Sequence, residues 1–151
     1  MEPKSDSTLV KKTSPVYTLS IASGLSKIPI PSIRQYIDKG LIIPFKKDSK
    51  RHLFSDIDII RLKYIRQQLE DQGLNIAGIK SLLALLPCWA IRSCSVSDRE
   101  KCQAYKSITN PCWEASEKGL KCRNTNCREC SVYCILEENM DLKSLIRSFI
   151  K

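Results

Sequence analysis

All eight cysteines of this 151-residue chain lie between Cys88 and Cys134, and the first 87 residues contain none. So abrupt a change in composition predicts two folding units with a border near Pro87. The chain opens without the apolar segment of a secretory signal, and no later run is long enough to span a membrane. We therefore expect a cytoplasmic protein, in which clustered cysteines bind metal or react more often than they form disulfides.

The cysteine-rich segment, residues 87–136, contains an internal repeat. Pro-Cys-Trp occurs at residues 87–89 and again at 111–113, and Cys-x-x-Tyr follows each copy, at 102–105 and 130–133. Two similar halves indicate a duplication in which each Pro-Cys-Trp unit fixes the chain direction and offers a ligand. We expect the two indoles to pack over metal-bound turns as the main apolar mass of this module.

The cysteines themselves predict metal binding. Eight thiolates can form two tetrahedral sets of four, and four cysteines form a common closed zinc site. The short Cys127-x2-Cys130 spacing lets one tight turn present two sulfurs to one ion. Because this segment has few aliphatic side chains, metal bonds would supply the missing folding free energy. The predicted ligands are Cys88, Cys94, Cys102, Cys112, Cys122, Cys127, Cys130 and Cys134.

Zinc is the first choice for the cofactor, in a structural or a sensory role. An iron-sulfur cluster is the alternative, because sets of cysteines also hold such clusters. A disulfide switch is a third interpretation. The segment also resembles the cysteine-rich modules with two Cys-Trp motifs that are attached to bacterial regulatory proteins.

Positive charge is concentrated ahead of the cysteines. Residues 1–80 carry 14 Lys and Arg against 8 Asp and Glu, whereas residues 81–151 carry 11 against 8. A surplus of this size on a small domain is typical of a phosphate-binding surface, although a solvated basic face gives the same composition.

The pattern before the cysteines predicts a mainly α fold. Residues 1–14 have no periodic apolar pattern and are predicted to be a disordered arm. Residues 15–86 predict a short helix, a turn, a second helix with Pro31 in its first turn, a hairpin with a basic tip, and two more helices. Ser55 and Asp58 form a capping-box start for the third helix. This order is that of a winged helix-turn-helix.

The same residues carry a family resemblance. Ile-Arg-Gln-Tyr at 33–36, Lys-Gly-Leu at 39–41 and Phe-Ser at 54–55 stand in register along an ungapped stretch from Tyr17 to Leu83. This stretch resembles the DNA-binding domain of MerR-family transcription regulators, and its heat-shock repressor branch in particular.

The resemblance implies how DNA would be bound. The second helix would enter the major groove and the basic wing would reach the backbone or the minor groove. Arg34 is the main candidate for a base or adjacent phosphate contact, and a surface pair with Asp38 is the alternative. Two residues depart from the family pattern: Lys27 replaces a usual turn glycine and His52 a usual arginine. The candidate DNA-contacting residues are Ser32, Arg34, Gln35, Tyr36, Lys46, Lys47, Lys50, Arg51 and His52.

The last segment, residues 137–151, predicts a short amphipathic helix. Its apolar face either docks on the cysteine-rich module or pairs with a second subunit, and the family resemblance implies a dimer. The candidate dimerisation residues are Leu142, Leu145, Ile146, Phe149 and Ile150.

These observations predict a homodimeric, sequence-specific transcription regulator. Its expected partners are double-stranded DNA, a second copy of the chain and RNA polymerase, with no membrane. The competing class is a zinc-dependent interaction module in which the winged helix binds protein. We do not expect an enzyme, because the chain has a single histidine and no glycine-rich loop for phosphate.

Overall fold

The computed structural model describes residues 12–48, 51–137 and 141–150. No helix in these three ranges is long and apolar enough to cross a membrane. Residues 1–11 of the predicted arm and Lys50 of the predicted wing lie outside the described residues. Thr13 is buried, with 7% of its surface exposed. The end of the predicted disordered arm is therefore packed, which its polar composition did not indicate.

The first two helices form the helix-turn-helix. Helix α1 spans Leu19–Ser26, and the Thr18 side chain accepts a backbone N–H of its first turn at 3.3 Å. Helix α2 spans Ile30–Asp38, with Pro31 in the first turn, where no N–H is needed. Between them Lys27 adopts φ 60° and ψ 32°, a left-handed conformation that favours glycine. The departure from the family pattern at this residue therefore has a conformational cost.

The basic hairpin is confirmed as a wing. Strands β2, Phe45–Lys47, and β3, Arg51–Phe54, pair antiparallel. A third strand, β1, Tyr17–Thr18, lies on the other side of β3, so the sheet order is β1-β3-β2. The sequence did not predict β1 because two residues are too few to show an alternating pattern.

Two more helices follow the wing. Helix α3, Asp56–Glu70, begins with the predicted capping box: Asp58 N–H donates to Ser55 Oγ at 3.2 Å, and Ser55 N–H donates to Asp58 Oδ2 at 2.9 Å. Helix α4, Ile76–Ala84, is capped by the Asn75 side chain at 2.7 Å. Local hydrogen bonds thus place both helix starts.

The core of the winged domain lies between these four helices and β3. Its fully buried apolar side chains include Ala22, Ile33, Leu41, Phe54, Leu62, Ile65 and Ile79. The predicted fold class, a mainly α winged helix-turn-helix followed by a small cysteine-rich region, is confirmed.

The cysteine-rich module, residues 87–136, consists of single-turn elements. None exceeds five residues, because no stretch carries an apolar stripe long enough for a larger helix. The α-helical turns are α5 Cys88–Ile91, α6 Val96–Glu100, α7 Gln103–Lys106 and α8 Leu120–Arg123, and the 3₁₀ turns are Cys112–Glu114, Cys127–Glu129 and Tyr133–Ile135.

The two halves of the module repeat one aromatic contact. Trp89 meets Tyr105 edge-on, with ring centroids 5.5 Å apart and planes at 89°. Trp113 meets Tyr133 in the same way, at 5.2 Å and 86°. In each half the indole of Pro-Cys-Trp thus packs against the phenol of Cys-x-x-Tyr. This geometry is what a duplicated unit would produce.

The tail forms helix α9, Leu142–Phe149, with Asp141 as its N-cap. Its apolar face is divided between two environments. Leu142 is 7% exposed, whereas Phe149 is 40% and Ile150 69% exposed. The start of the helix is therefore covered by its own chain, and its end carries apolar surface in contact with solvent.

Candidate functional site

The predicted recognition helix α2 presents polar side chains outward. Arg34 and Gln35 are exposed, and Ser32 is half-buried. No described residue pairs with the Arg34 guanidinium, so the alternative interpretation, a surface pair with Asp38, finds no support. Tyr36 differs: only 6% of its surface is exposed and its ring belongs to the hydrophobic core. The ring therefore supports α2 from inside, and the assignment of Tyr36 to the DNA-contacting group stays a prediction.

The wing adds basic side chains to the same domain. Lys46, Lys47 and Arg51 are exposed and His52 is half-buried. Lys46 lies opposite His52, and Lys47 opposite Arg51, across the β2–β3 pair. The like charges of Lys47 and Arg51 repel each other across the two strands, which is tolerable where an anionic partner neutralises them. The arrangement suits binding to phosphate.

All eight cysteines are free thiols, one buried and the others half-buried. Seven of them line one cavity within the module: Cys88, Cys94, Cys102, Cys112, Cys122, Cys127 and Cys130. As the side chains stand, no group of three or more Cys, His, Asp or Glu residues in the described ranges is arranged to hold a metal ion. Sulfur is a soft donor atom that suits zinc or an iron-sulfur cluster. Because the thiols do not yet surround one point, metal binding requires their side chains to rotate toward one another.

Burial makes several of these thiols weak acids. Desolvation raises the pKa of Cys112 to about 12, and neighbouring thiols such as Cys88 and Cys130 add to the effect. Burial likewise raises the pKa of Cys88 and that of Cys134 to about 11. Metals bind thiolates, so a metal ion at these cysteines must displace protons. Such thiols are poor nucleophiles near neutral pH.

The cysteine-rich module is docked on the winged domain, and Gly40 is one point of contact. The Trp113 indole Nε1–H donates to the Gly40 carbonyl oxygen at 2.7 Å. Gly40 has φ +77°, and a Cβ there would lie 1.5 Å from Glu114 Oε1. Glu114 also forms an ion pair with Lys80 of α4 at 3.8 Å. The positive φ favours glycine at this contact, and a side chain there would also force the Glu114 carboxylate to move.

A buried polar network forms the second point of contact, beside the start of the wing. The Tyr133 hydroxyl donates to Asp58 Oδ1 at 2.8 Å and accepts the Ile43 N–H at 2.9 Å. Arg128 Nη2 pairs with Asp58 Oδ2 at 2.9 Å, and its Nη1 donates to the Ile43 carbonyl oxygen. The Asp58 side chain is fully buried. One carboxylate thus caps α3 and anchors the module.

A buried guanidinium lies beneath this network. Arg61 of α3 is fully buried, donates to the Tyr133 carbonyl oxygen, and lies 4.0 Å above the Tyr133 ring and 4.5 Å above the Trp113 ring. Its Nε and Nη1 atoms have no hydrogen-bond partner among the described residues. Burial lowers the pKa of Arg61, and nearby Tyr133, Asp58, Cys134 and Cys112 oppose that shift.

The sequence did not predict that any of these residues docks the module on the winged domain. Arg61 gave the clearest signal, since it lies on the same helical face as Ile57, Tyr64 and Ile65 at spacings of three and four. A charged residue in the middle of an apolar face indicates a buried partner. Arg128 and Tyr133 gave no such signal, because their partners are about 70 or more residues away.

The chain forms a helix, a turn, a second helix and a wing, and basic side chains are exposed on α2 and on the hairpin. These features define a winged helix-turn-helix protein. Residues 17–86 match the family described as MerR HTH family regulatory protein. Over these residues the chain is similar to a MerR-family helix-turn-helix domain. The match ends just before the first cysteine.

Individual relatives agree with this family. A protein of Streptomyces coelicolor named as the heat shock protein HspR is 37% identical over 71 residues, which cover 47% of this chain and 47% of that protein. The HTH-type transcriptional regulators GlnR of Bacillus anthracis and Bacillus cereus are 35% identical over 75 residues, covering 50% of this chain and 57% of theirs. The chain spans about half the length of the curated relatives it matches.

Proposed function

We propose that this protein is a MerR-type transcription regulator that binds double-stranded DNA through α2 and the wing. The observation that carries this proposal is the exposure of Arg34 and of the basic wing on a domain that matches the MerR family. A helix in the major groove reads base edges, while the wing holds the phosphate backbone. The relatives named as transcriptional regulators support this interpretation.

A selection experiment tests DNA binding and identifies the operator at the same time. Full-length protein is used to enrich duplexes from a random library, and its affinity for the enriched duplex is compared with that for a shuffled duplex. Arg34→Ala is expected to weaken binding to the enriched duplex about tenfold or more. Arg123→Ala, which removes the same charge from an exposed residue of α8, is the control and leaves binding nearly unchanged. Failure to enrich any sequence would refute the proposal.

The cysteine-rich module binds metal in this proposal, with zinc as the first choice. Eight thiols in one small module, seven of them around one cavity, support it. Metal analysis of anaerobically purified protein tests it: about two zinc ions per chain are expected, one for every four thiolates. A brown protein with iron and sulfide supports the iron-sulfur alternative, and protein without any metal refutes both.

The regulator acts as a homodimer in this proposal. The exposed end of α9, with Phe149 and Ile150, supports it, because exposed apolar side chains at a helix end favour association. Light scattering on full-length protein tests it. Phe149→Ser with Ile150→Ser is expected to shift the mass from dimer to monomer, and an unchanged mass would refute this dimer contact.

A further inference from the structure

The eight thiols of the cysteine-rich module are not equivalent in their connections. Cys112, Cys127 and Cys134 lie in the three 3₁₀ turns, and Cys130 directly follows the second of these. The Cys130 N–H donates to the Cys127 carbonyl at 3.1 Å, and the Cys134 N–H donates to the Cys130 carbonyl at 3.0 Å. We call these four cysteines the proximal set, since the side chains that adjoin three of them contact the winged domain.

The edge-on contact of Trp113 with Tyr133 joins the turn of Cys112 to the turn of Cys134, with ring centroids 5.2 Å apart. The Arg61 guanidinium packs against both rings. Cys112 is therefore held beside the three cysteines that are close to one another in sequence, although it precedes Cys127 by 15 residues.

The remaining four, Cys88, Cys94, Cys102 and Cys122, form the distal set. They line one cavity together with Cys112, Cys127 and Cys130, so the two sets are neighbours, and Cys134 is not part of that lining. Arg92, which follows α5, donates to the Lys121 carbonyl at 3.0 Å and to Thr125 Oγ1 at 2.9 Å. Asp98 of α6 accepts the backbone N–H groups of Leu120 at 2.7 Å and of Lys121 at 3.1 Å. These contacts attach α8, which contains Cys122, to the first half of the module. The sets thus interleave along the chain and do not coincide with the two repeats.

Two positively charged side chains, Lys118 and Arg61, lie close to the proximal set. Lys118 Nζ donates to Cys127 Sγ at 3.2 Å. Arg61 is fully buried next to the residues that adjoin Cys112 and Cys134, and two of its nitrogen atoms lack a partner within the described part of the chain. A buried guanidinium is costly unless an anion compensates it. Four thiols that bind one divalent ion release four protons and leave a doubly negative tetrathiolate, which is an anion of the required sign.

The contacts between the proximal set and the winged domain run through chain neighbours of the cysteines. Trp113 follows Cys112, Arg128 follows Cys127, and Tyr133 precedes Cys134. These three side chains bind Gly40, Ile43 and Asp58, just ahead of the wing and at the start of α3. In the distal set the corresponding indole, Trp89, packs within the module against Tyr105.

We propose that Cys112, Cys127, Cys130 and Cys134 form one tetrathiolate site for a divalent metal ion, separate from the distal set, and that this ion positions the wing. The inference rests on the proposed metal binding and adds the partition of the ligands and their connection to the wing. Metal at the proximal set fixes the three turns whose side chains hold the segment from Gly40 to Ile43. Metal at the distal set stabilises the module alone.

The test compares one cysteine from each set in the full-length chain purified with zinc. Cys127→Ser and Cys94→Ser are each expected to lose about one of two zinc ions per chain. Hydrogen exchange at residues 41–47 is expected to rise in Cys127→Ser and to stay at the wild-type rate in Cys94→Ser. Loss of both ions from either variant, or an equal rise in exchange in both variants, would overturn the inference.

A further variant tests the connection to the wing even where Cys127→Ser fails to fold. Tyr133→Phe keeps every thiol but removes the hydroxyl that bridges Ile43 and Asp58. It is expected to keep both zinc ions and to raise exchange at Ile43, and unchanged exchange there would contradict the proposed connection. Wild-type protein that holds no zinc refutes the metal part of the proposed function as well. Zinc binding without the partition refutes only the present inference.

Discussion

Arg128 of the cysteine-rich module forms a 2.9 Å ion pair with Asp58, the residue that also closes the capping box of α3. The Asp58 side chain is fully buried and that of Arg128 is 10% exposed. A helix start next to the wing thus depends on a side chain 70 residues further along the chain. The pair connects the folding of the module with the geometry of the proposed DNA-binding surface, so its removal has measurable consequences.

Replacement of Arg128 by Met should destabilise the protein strongly. It leaves the Asp58 carboxylate buried without its cation, which costs about 3–5 kcal/mol in comparable cases. Urea unfolding followed by circular dichroism measures the loss. Arg123→Met, on an exposed residue of the same module, is the control and should change stability by about 0.5 kcal/mol or less. A loss for Arg128→Met no greater than that of the control would show that the pair is unimportant.

The double variant Arg128→Met with Asp58→Asn should recover part of that loss. The amide is uncharged, so it does not require the guanidinium, although it cannot accept all the hydrogen bonds that Asp58 accepts. A double-mutant cycle gives the coupling free energy between the two residues. Additive losses would mean that the pair has no specific coupling.

Gly40→Ala should disrupt the docking of the module. Alanine is strained at φ +77°, at a cost of about 1–2 kcal/mol, and its Cβ would also overlap the Glu114 carboxylate. Gly24→Ala in α1 is the matched control: a Cβ there meets no atom within 4 Å, and alanine favours helix. We expect thermal unfolding to occur at a lower temperature for the first variant and at an equal or higher temperature for the second.

The local elements were predictable from sequence, whereas the docking of the module was not. Ser55 and Pro31 act within one helical turn, so the pattern around them predicted the helix starts that the structure confirms. The hairpin and the mainly α fold class were also predictable from local patterns, and the structure confirms both. The Asp58 side chain was predicted only to cap α3. Its second role is to bind Arg128 and Tyr133, which only the tertiary fold brings close.

The site predictions divide in a similar way. Arg34 and the described wing residues are exposed or half-buried, as a DNA contact requires, and their role stays a prediction. The burial of the Tyr36 ring was not predicted, because a family motif says which residue type occurs and not whether its ring turns inward. The proposed grouping of the cysteines could not be inferred from spacing, since the repeat places Cys122 in the second half while Arg92 and Asp98 attach it to the first.

Lys27→Gly should stabilise the protein. Lys27 holds φ 60°, and a residue with a Cβ is strained by about 1–2 kcal/mol in this region. Glycine avoids that strain but loses more backbone entropy on folding, so we expect a net gain of about 0.5–1 kcal/mol. Lys27→Ala keeps the strain and is the control, expected to show no gain. An equal gain in both variants would assign the effect to the lysine side chain and not to its backbone conformation.

The salt dependence of DNA binding should change with the wing. Each phosphate contact releases counterions, so log K falls with log salt by about 0.9 for every phosphate neutralised. If Lys46 and Lys47 each bind one phosphate, the variant with both changed to alanine should lose about two units of slope. Lys106→Ala with Lys143→Ala, on exposed residues outside the winged domain, is the charge-matched control and should keep the wild-type slope. The competing interpretation, in which the winged helix binds protein, predicts weak duplex binding and the same slope for both variants.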